Sequence, residues 1–228
     1  MIDPILEKYA RLITEYSTEV KAGDQVLINV DADAMPMARA LTREVLKAGA
    51  EPHLRIAYPE LLLDRLELTS DDVLDSEPAL DLSEIRQIDA WIRVGAPTNT
   101  RMLQAADKER LARFMKRSRP VQNIRVNETR WLGTLFPNDA QAQDAGMSTD
   151  EFRDFAFRAM FLFEDDPAEA WRRQYREQAR IVERLSQADE VRIVGNGTDL
   201  RLSVKGRTWI SSAGRRNMPC GEVFTGPI

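Results

Sequence analysis

The feature that most constrains the fold is the alternation of short apolar segments with stretches of helical periodicity in the first half of the chain. Apolar segments bounded by glycine, proline or aspartate predict strands. We place these strands at 25–30, 52–56, 90–94 and 121–126. Between them lie apolar residues at helical spacing and an acidic stretch that suits short helices. This alternation predicts an α/β fold with a mostly parallel sheet flanked by helices.

Capping signals predict where the first helices begin and end. Asp3-Pro4 suits the start of the first helix, because aspartate is a good N-cap and proline is tolerated directly after it. Asn99 suits the start of a helix that ends near Arg117, since Pro120 would prevent its extension into the strand that follows. The segment 128–147 has no clear periodicity, and we interpret it as an ordered loop with a short helix.

The second half of the chain begins with two predicted helices and ends with hairpins. Ser148 to Glu151 forms a capping box, and Asp166-Pro167 opens a helix that reaches about Ala188. The alternating segments 191–194 and 200–204 then flank a turn cluster, which predicts a β-hairpin. Because the pattern changes here, we predict an N-terminal α/β domain over 1–188 and the start of a second domain over 189–228.

Charge and cysteine content exclude several classes of protein. The net charge of −5 is spread along the chain, which argues against binding to nucleic acid and leaves no basic anchor for a membrane. Cys220 is the single cysteine, so an intramolecular disulfide is excluded and a reducing, cytoplasmic location is expected. No full Gly-x-Gly-x-x-Gly fingerprint follows a predicted strand, which disfavours a dinucleotide site.

The last stretch carries a motif that points to a known family. After the hairpin GNGTDLRLSVKGR comes NMPCGEVFTGP, which resembles the opening of the catalytic domain in thermophilic metallo-aminopeptidases, the aminopeptidase T, aminopeptidase S and PepS group. Segments 130–137 and 140–147 are also similar to the family. The matching motif residues are Asn217, Met218, Pro219, Gly221, Glu222, Val223, Phe224, Thr225 and Pro227.

The resemblance implies an activity and its cofactors. It implies that the protein releases N-terminal amino acids from peptides with the help of two divalent metal ions, zinc or cobalt. It also implies a homodimer. The resemblance implies that Glu222 is a metal ligand. The family's remaining ligands follow this motif, and His53 is the single histidine here. We therefore expect a truncated chain that lacks a complete catalytic site, binds no metal alone and is inactive alone.

Other candidate residues have competing interpretations. Arg130, Trp131 and Arg216 could line a substrate cavity, because arginine can pair with a peptide carboxylate and tryptophan can pack an apolar side chain. The alternative is a buried tryptophan beside a salt-bridged arginine. Cys220 with His53 would need a contact that the sequence cannot show. The acidic run 164–166 is explained by the helix start that follows it.

Three hypotheses about function remain open. The first is a metal-dependent aminopeptidase represented by part of its chain. The second is a short relative without hydrolytic activity that acts as a binding or dimerisation module. The third is a small-molecule-binding α/β protein whose motif match is accidental. Val223, Phe224 and Ile228 form an apolar end without a partner strand, which predicts association through this surface.

Overall fold

The computed structural model describes residues 2–226 and is built around a five-stranded parallel sheet. Pro227 and Ile228, which end the predicted motif and the predicted apolar surface, lie outside the described residues. The strands are β1 Gln25–Asp31, β2 Glu51–Ala57, β3 Ala90–Gly95, β4 Arg130–Leu135, β5 Glu190–Gly195, β6 Thr198–Ser203, β7 Ile210–Ser212, β8 Asn217–Met218 and β9 Glu222–Phe224.

Helices connect the strands and cover the sheet. The α-helices are α1 Pro4–Arg11, α2 Met35–Lys47, α3 Leu61–Leu68, α4 Asp71–Asp75, α5 Ala79–Ile85, α6 Lys108–Glu128, α7 Asp139–Asp144, α8 Thr149–Ala159 and α9 Pro167–Leu185. A π-helical segment, Leu12–Ser17, continues α1. The predicted N-cap Asp3 accepts a hydrogen bond from the Ile5 backbone, and the predicted capping box at Ser148 is formed. Among residues 2–226, no helix is both long and apolar enough to cross a membrane.

The order of strands in the central sheet is β2-β1-β3-β4-β8. The predicted α/β fold with a mostly parallel sheet is therefore confirmed. From β1 the chain moves outward to β2 and then returns to the other side of β1 to form β3. The helices divide accordingly, with α2 packed on one face and α3 to α6 over the other. The first face holds the core, in which Val26, Ile28, Ile92 and Leu132 are fully buried.

The prediction for residues 99–126 is wrong. A short 3₁₀ turn, Met102–Ala105, precedes α6, whose N-cap is Asp107 rather than Asn99. The predicted strand at 121–126 is the second half of α6, which runs through Pro120 to Glu128. Contacts with distant elements explain the difference. Helix α6 packs on α3, α4, α5 and β4, and its half-buried residues Phe114, Val121 and Arg125 follow one helical face, so these tertiary contacts outweigh the local cost of the proline.

The interpretation of residues 128–147 as a loop with a short helix is partly wrong. The short helix exists as α7, but Arg130–Leu135 forms β4, which pairs with β3 from Arg130 to Leu135. The β4 sequence is RWLGTL, in which polar residues and a glycine interrupt the apolar ones, and Leu132 is its one fully buried residue. The segment therefore lacks the run of apolar residues that marks a buried strand. Pairing with a neighbour distant in sequence makes it a strand.

The C-terminal segments form two small antiparallel sheets and complete the large one. β5 and β6 form the predicted hairpin, with Gly197 at positive φ in its turn. β9 pairs with β7, so the expectation that Val223 and Phe224 lack a partner strand is wrong. β8 pairs with Gly133 and Thr134 of β4, and it therefore belongs to the central sheet.

Ion pairs between α4 and α6 give the fold a predictable response to acid. Arg113 forms a two-pronged contact with Asp75, with Nε–Oδ1 and Nη2–Oδ2 distances of 3.0 and 2.7 Å, and it also pairs with Asp71. Hydrogen bonds from Arg113, and from Arg110 to Asp71, lower the pKa of both carboxyls. Their contribution to stability is therefore present above about pH 4 and is lost as the pH falls through the lowered values.

We expect the double substitution Asp71→Asn and Asp75→Asn to lower the urea midpoint of unfolding at neutral pH and to have a smaller effect near pH 3. At the acidic pH the wild-type carboxylates are becoming protonated and their ion pairs are weakening. Urea titrations followed by circular dichroism at both pH values test this. An equal difference between the two proteins at both pH values would show that the pairs contribute no pH-dependent stability.

Candidate functional site

The motif segment is fixed to the central sheet by backbone and side-chain hydrogen bonds. Gly133 N donates to Arg216 O at 2.8 Å, and Thr134 Oγ1 donates to Met218 O at 2.7 Å. The Met218 side chain is buried in the core, whereas Asn217 lies on the opposite face of the strand, with its Oδ1 over Gly133. Met218-Pro219 is a cis peptide. The segment therefore leaves the sheet at a defined position and direction.

The turn that precedes β8 is packed against two helical aromatic residues. Tyr16 Oη donates to Ala213 O at 2.8 Å. Gly214 has φ +74°, and a Cβ placed on it would lie 2.9 Å from Met218 Cε and 3.1 Å from Trp171 Cδ2. Trp171 itself is buried and donates through Nε1 to Met160 O. A residue other than glycine would therefore be strained at position 214 and would also collide with its neighbours.

Cys220 is held inside this turn and far from the histidine. Its Sγ accepts hydrogen bonds from Ser212 Oγ at 3.1 Å and from Gly214 N at 3.0 Å. His53 lies on β2, at the opposite edge of the sheet from β8, and its Nε2 is 2.7 Å from Gln25 Oε1. The two side chains are therefore not a catalytic pair.

Glu222 opens β9 opposite Ser212 of β7, and its side chain is exposed. Within residues 2–226 its carboxylate has no hydrogen-bond or ion-pair partner. The same residues contain no group of three or more histidine, cysteine, aspartate or glutamate side chains that could hold a metal ion. Catalytic metals need about three or more protein ligands in a fixed geometry. The Glu222 carboxylate belongs to no such group within the described residues and does not make a metal centre by itself.

Arg130, Trp131 and Arg216 are brought together, although Glu222 is not among them. These three residues line a cavity of about 200 Å³, to which Ser17 and Arg215 also contribute. The Arg216 guanidinium lies 5.9 Å from the centre of the Trp131 ring, and within residues 2–226 it has no carboxylate partner. A cationic group above an aromatic wall is an arrangement that suits an anionic ligand with an apolar part.

Arg130 is largely occupied by contacts within the protein. Its Nη2 lies 2.7 Å from Asp24 Oδ2, and its Nη1 donates to the carbonyls of Thr18 and Glu19 at the end of the first helical segment. These contacts match the alternative interpretation of a salt-bridged arginine. Of the two arginines, Arg216 is therefore the one whose guanidinium is more available to bind a ligand.

Arg125 is a neighbour that the sequence did not single out. Its guanidinium lies between two indoles, 4.7 Å from the centre of Trp91 and 4.6 Å from that of Trp131, and burial lowers its pKa. Arginine remains charged under such a shift, so a cation is held between two aromatic rings. The sequence analysis missed Arg125 because it interpreted residues 121–126 as a strand. Helical spacing counted from Phe114 places Arg125 on the same face as Phe114 and Val121.

Tyr16 links the turn to the helices through its ring and hydroxyl. Burial raises the pKa of the Tyr16 hydroxyl, while Arg215 and Arg172 oppose the shift. Arg215 lies 5.1 Å from the Tyr16 ring centre and pairs with Glu19 at 2.7 Å. The hydroxyl is therefore neutral and donates to the Ala213 carbonyl, which is a structural role.

The remaining candidates have structural partners. Asp199 pairs with Arg192 across the hairpin at 2.7 and 2.8 Å, and this hydrogen bonding lowers the Asp199 pKa. Asp166 caps α9 by accepting a hydrogen bond from Glu169 N. Asp166 thus behaves as the helix-start residue that the sequence suggested, whereas Asp199 lies in β6, opposite Val194, rather than in the turn.

Comparison with known proteins gives a consistent relationship along the whole chain. The family model described as thermophilic metalloprotease (M29) matches residues 2–228. Aminopeptidase 2 of Geobacillus stearothermophilus is 24% identical over 250 residues, which cover 97% of this chain and 60% of that protein. Aminopeptidase T of Thermus thermophilus is 26% identical, over 97% of this chain and 61% of that protein.

Solved structures share the fold. Wild-type AmpT from Thermus thermophilus superimposes with a TM-score of 0.74 at 23% identity, over 98% of this chain and 61% of that one. A 2,5-dihydroxypyridine dioxygenase from Pseudomonas putida gives a TM-score of 0.51 at 10% identity, over 98% of this chain and 55% of that one. The chain thus spans about 60% of the length of the curated relatives that it matches.

Proposed function

The chain belongs to the thermophilic metalloprotease family M29. From this membership we propose that it functions in a metal-dependent aminopeptidase, which releases N-terminal amino acids from peptides. The observation that carries the proposal is the family match across residues 2–228, which includes the NMPCGEVFTGP motif. The carboxylate of Glu222 within that motif is exposed and has no partner within residues 2–226, which supports the proposal. The third hypothesis, which required an accidental match, is overturned by the family membership.

The proposed cofactors are two divalent metal ions, zinc or cobalt, with Glu222 as one ligand. Residues 2–226 contain no metal-binding group of three side chains, so Glu222 would have to be joined by ligands from outside these residues. The reaction proposed is hydrolysis of the peptide bond that follows the N-terminal residue. We further propose that it takes place in the cytoplasm and in a homodimer.

The domain division is also a proposal. It assigns residues 1–188 to an N-terminal α/β domain and residues 189–228 to the beginning of a catalytic domain. Under this division β8 would be the catalytic domain's contribution to the N-terminal sheet, through its pairing with β4.

The experiment that tests the function combines intact mass spectrometry with hydrolysis of leucine anilide in the presence of cobalt or zinc. Metal-dependent cleavage that a chelator abolishes, by a species of mass above 26.0 kDa, would support the aminopeptidase. Cleavage by a 26.0 kDa species would show that this chain needs no further ligands. Absence of cleavage with either metal by a species heavier than 26.0 kDa would reject the aminopeptidase, whereas absence of cleavage by a 26.0 kDa species would mean that this chain has the fold without the chemistry.

The alternative is a relative that binds or dimerises without hydrolysis. The similarity to a dioxygenase shows that this fold is not confined to proteins named as peptidases. Absence of hydrolysis together with a concentration-dependent dimer in light scattering would favour this alternative. A monomer at every concentration would count against its dimerisation form.

Arg216 is proposed to bind the carboxylate of short peptides in the cavity that it shares with Trp131 and Arg130. We expect Arg216→Gln to raise the KM for Leu-Gly-Gly by about tenfold, because the variant loses the binding free energy of one charge-assisted hydrogen bond. The KM for leucine anilide should stay unchanged, because the anilide has no carboxylate. Steady-state kinetics on both substrates make the measurement.

The matched control is Arg173→Gln, which removes an exposed arginine on α9 that has no ion-pair partner within residues 2–226. This variant should behave as wild type on both substrates. An equal rise in KM for the peptide and the anilide in Arg216→Gln would contradict recognition of the carboxylate.

A further inference from the structure

A cleft lies over the second face of the central sheet, where β1 and β3 are neighbours. Two adjoining cavities of about 180 and 550 Å³ form it between the sheet and helices α3, α5 and α6. Since the chain leaves β1 for β2 on one side and returns to β3 on the other, the cleft lies at the point where the strand order reverses. In doubly wound sheets this is where ligands bind.

The sheet presents an unusual surface to the cleft. Parallel strands that are covered on both faces normally carry apolar residues on both. Here Arg55, Asn29 and Arg93 stand side by side in one cross-strand row, and the row continues to Gly133 and Asn217 on the next two strands. The sheet therefore places Arg55, Asn29 and Arg93 beneath the cleft.

Part of this polar row is neutralised by carboxylates. Arg93 Nη2 pairs with Asp31 Oδ1, and Asp31 Oδ2 accepts a 2.7 Å hydrogen bond from Ala96 N. Arg55 pairs with Asp81 at 3.3 Å and with Glu84 at 2.6 Å. The Ala96 N–H at the end of β3 already donates to the Asp31 carboxylate, so it is not free to bind a ligand. An incoming anion would therefore have to be recognised by side chains.

Three polar side chains remain without protein partners at the junction of the two cavities. Asn29, Arg65 and Gln122 each line both cavities, together with Phe114. Within residues 2–226 the two amides make no hydrogen bond, and Arg65 makes no hydrogen bond or ion pair. Convergent polar groups beside an apolar wall are the usual composition of a small-molecule site.

The charge of the cleft indicates the sign of the ligand. Five arginines and three carboxylates line the two cavities, so the balance is positive. Arg65 is the arginine that lines both cavities, and within residues 2–226 it has no carboxylate partner. Phe114, Leu62 and Met102 supply apolar surface in the larger cavity. An anionic group would be paired by Arg65, while an apolar body would fill the larger cavity.

We propose that this cleft binds a small organic molecule that carries one anionic group, a carboxylate or a phosphate, on an apolar or aromatic body. Arg65 binds the anion, and the amides of Asn29 and Gln122 orient the molecule over the sheet. The site does not involve Glu222 or a metal ion, so it stands or falls separately from the proposed peptidase activity.

The test is a titration of the whole protein, without added metal, with three probes of similar shape. These are 3-phenylpropionate, its neutral amide 3-phenylpropanamide, and phenyl phosphate. Binding is measured by calorimetry and located by ¹H–¹⁵N shifts of residues that line the cleft. We expect at least one anion to bind, and the amide to bind at least about tenfold more weakly. Which anion binds more tightly identifies the head group.

Arg65→Gln is the decisive variant, because Arg65 is exposed and has no hydrogen-bond or ion-pair partner within residues 2–226 whose loss would disturb the fold. It should weaken anion binding by at least about tenfold, whereas Gln122→Ala should weaken it by a smaller factor. Arg39→Gln, an exposed arginine on α2 over the opposite face, changes the net charge equally and should bind as wild type. The proposal is overturned if neither anion binds, if the amide binds as tightly as the anions, or if Arg65→Gln binds as wild type.

Discussion

Replacing Glu222 by glutamine is expected to lower metal-dependent hydrolysis of leucine anilide by at least about 100-fold, because losing a metal ligand should cost no less than losing a residue that only hydrogen-bonds to a ligand. The amide keeps the size of the side chain and removes the negative charge that a divalent ion requires. Since the carboxylate is exposed and has no partner within residues 2–226, the substitution should leave the fold intact. Bound metal, measured by plasma mass spectrometry, should fall together with activity.

The matched control is Glu177→Gln, which removes an exposed carboxylate on α9 that also lacks a partner within residues 2–226. It should retain wild-type activity and metal content. Full metal content and full activity in Glu222→Gln would remove this residue from the metal site, even if the protein proves to be an aminopeptidase.

Replacing Gly214 by alanine is expected to destabilise the protein by roughly 2–5 kcal/mol. About 1–2 kcal/mol comes from placing a Cβ at positive φ, and about 1–3 kcal/mol from overpacking against Met218 and Trp171. The new Cβ would meet Met218 Cε at 2.9 Å and two ring atoms of Trp171 at 3.1 and 3.3 Å. Trp171 is a buried ring that cannot move aside without disturbing the core, whereas the flexible side chain of Met218 can shift its methyl at a smaller cost, which favours the lower part of the range.

Gly206→Ala separates the two contributions. Gly206 has nearly the same backbone angle, φ +69°, but nothing lies within 4 Å of its added Cβ. It should therefore show the conformational cost alone, about 1–2 kcal/mol. Urea unfolding of both variants gives the comparison. An equal loss of stability would mean that the packing of Trp171 on the turn contributes little.

The strands and caps that sequence patterns could predict are those whose signals are local. β1 and β3 carry alternate buried apolar residues between turn residues, and Ser148 with Glu151 forms its capping box within one helical turn. β8 has two residues and no pattern of its own. It exists because β4 offers an unpaired edge and Met218 fits the core, which are facts about distant parts of the chain.

The largest error concerns Pro120, which local rules place at the end of a helix. The helix continues because α6 packs on α3, α4, α5 and β4, and the gain from these contacts exceeds the cost of one missing hydrogen bond. Reading 121–126 as a strand also hid Arg125 between its two indoles. The wrong prediction of a strand thus concealed the contact of Arg125 with Trp91 and Trp131.

The candidate sites differ in how visible they are in sequence. The motif marks Glu222 without any structural knowledge, and the neighbours Arg130 and Trp131 line one cavity with Arg216, which lies far from them along the chain. The cleft residues Asn29 and Arg93 left a weaker signal, since each is a polar residue in the middle of a predicted buried strand. Their meaning depends on strand order, because only pairing with β2 and β3 aligns them with Arg55.

The pairing of β8 with β4 also sets an order on folding. Thr134 and Met218 are 84 residues apart, so the outer edge of β4 stays unpaired during synthesis until the motif segment has emerged. Closing so long a loop is slow compared with forming the neighbouring helices. The segment that carries Glu222 is therefore expected to dock late, onto a sheet that has already assembled, and the nascent chain would expose a strand edge in the meantime.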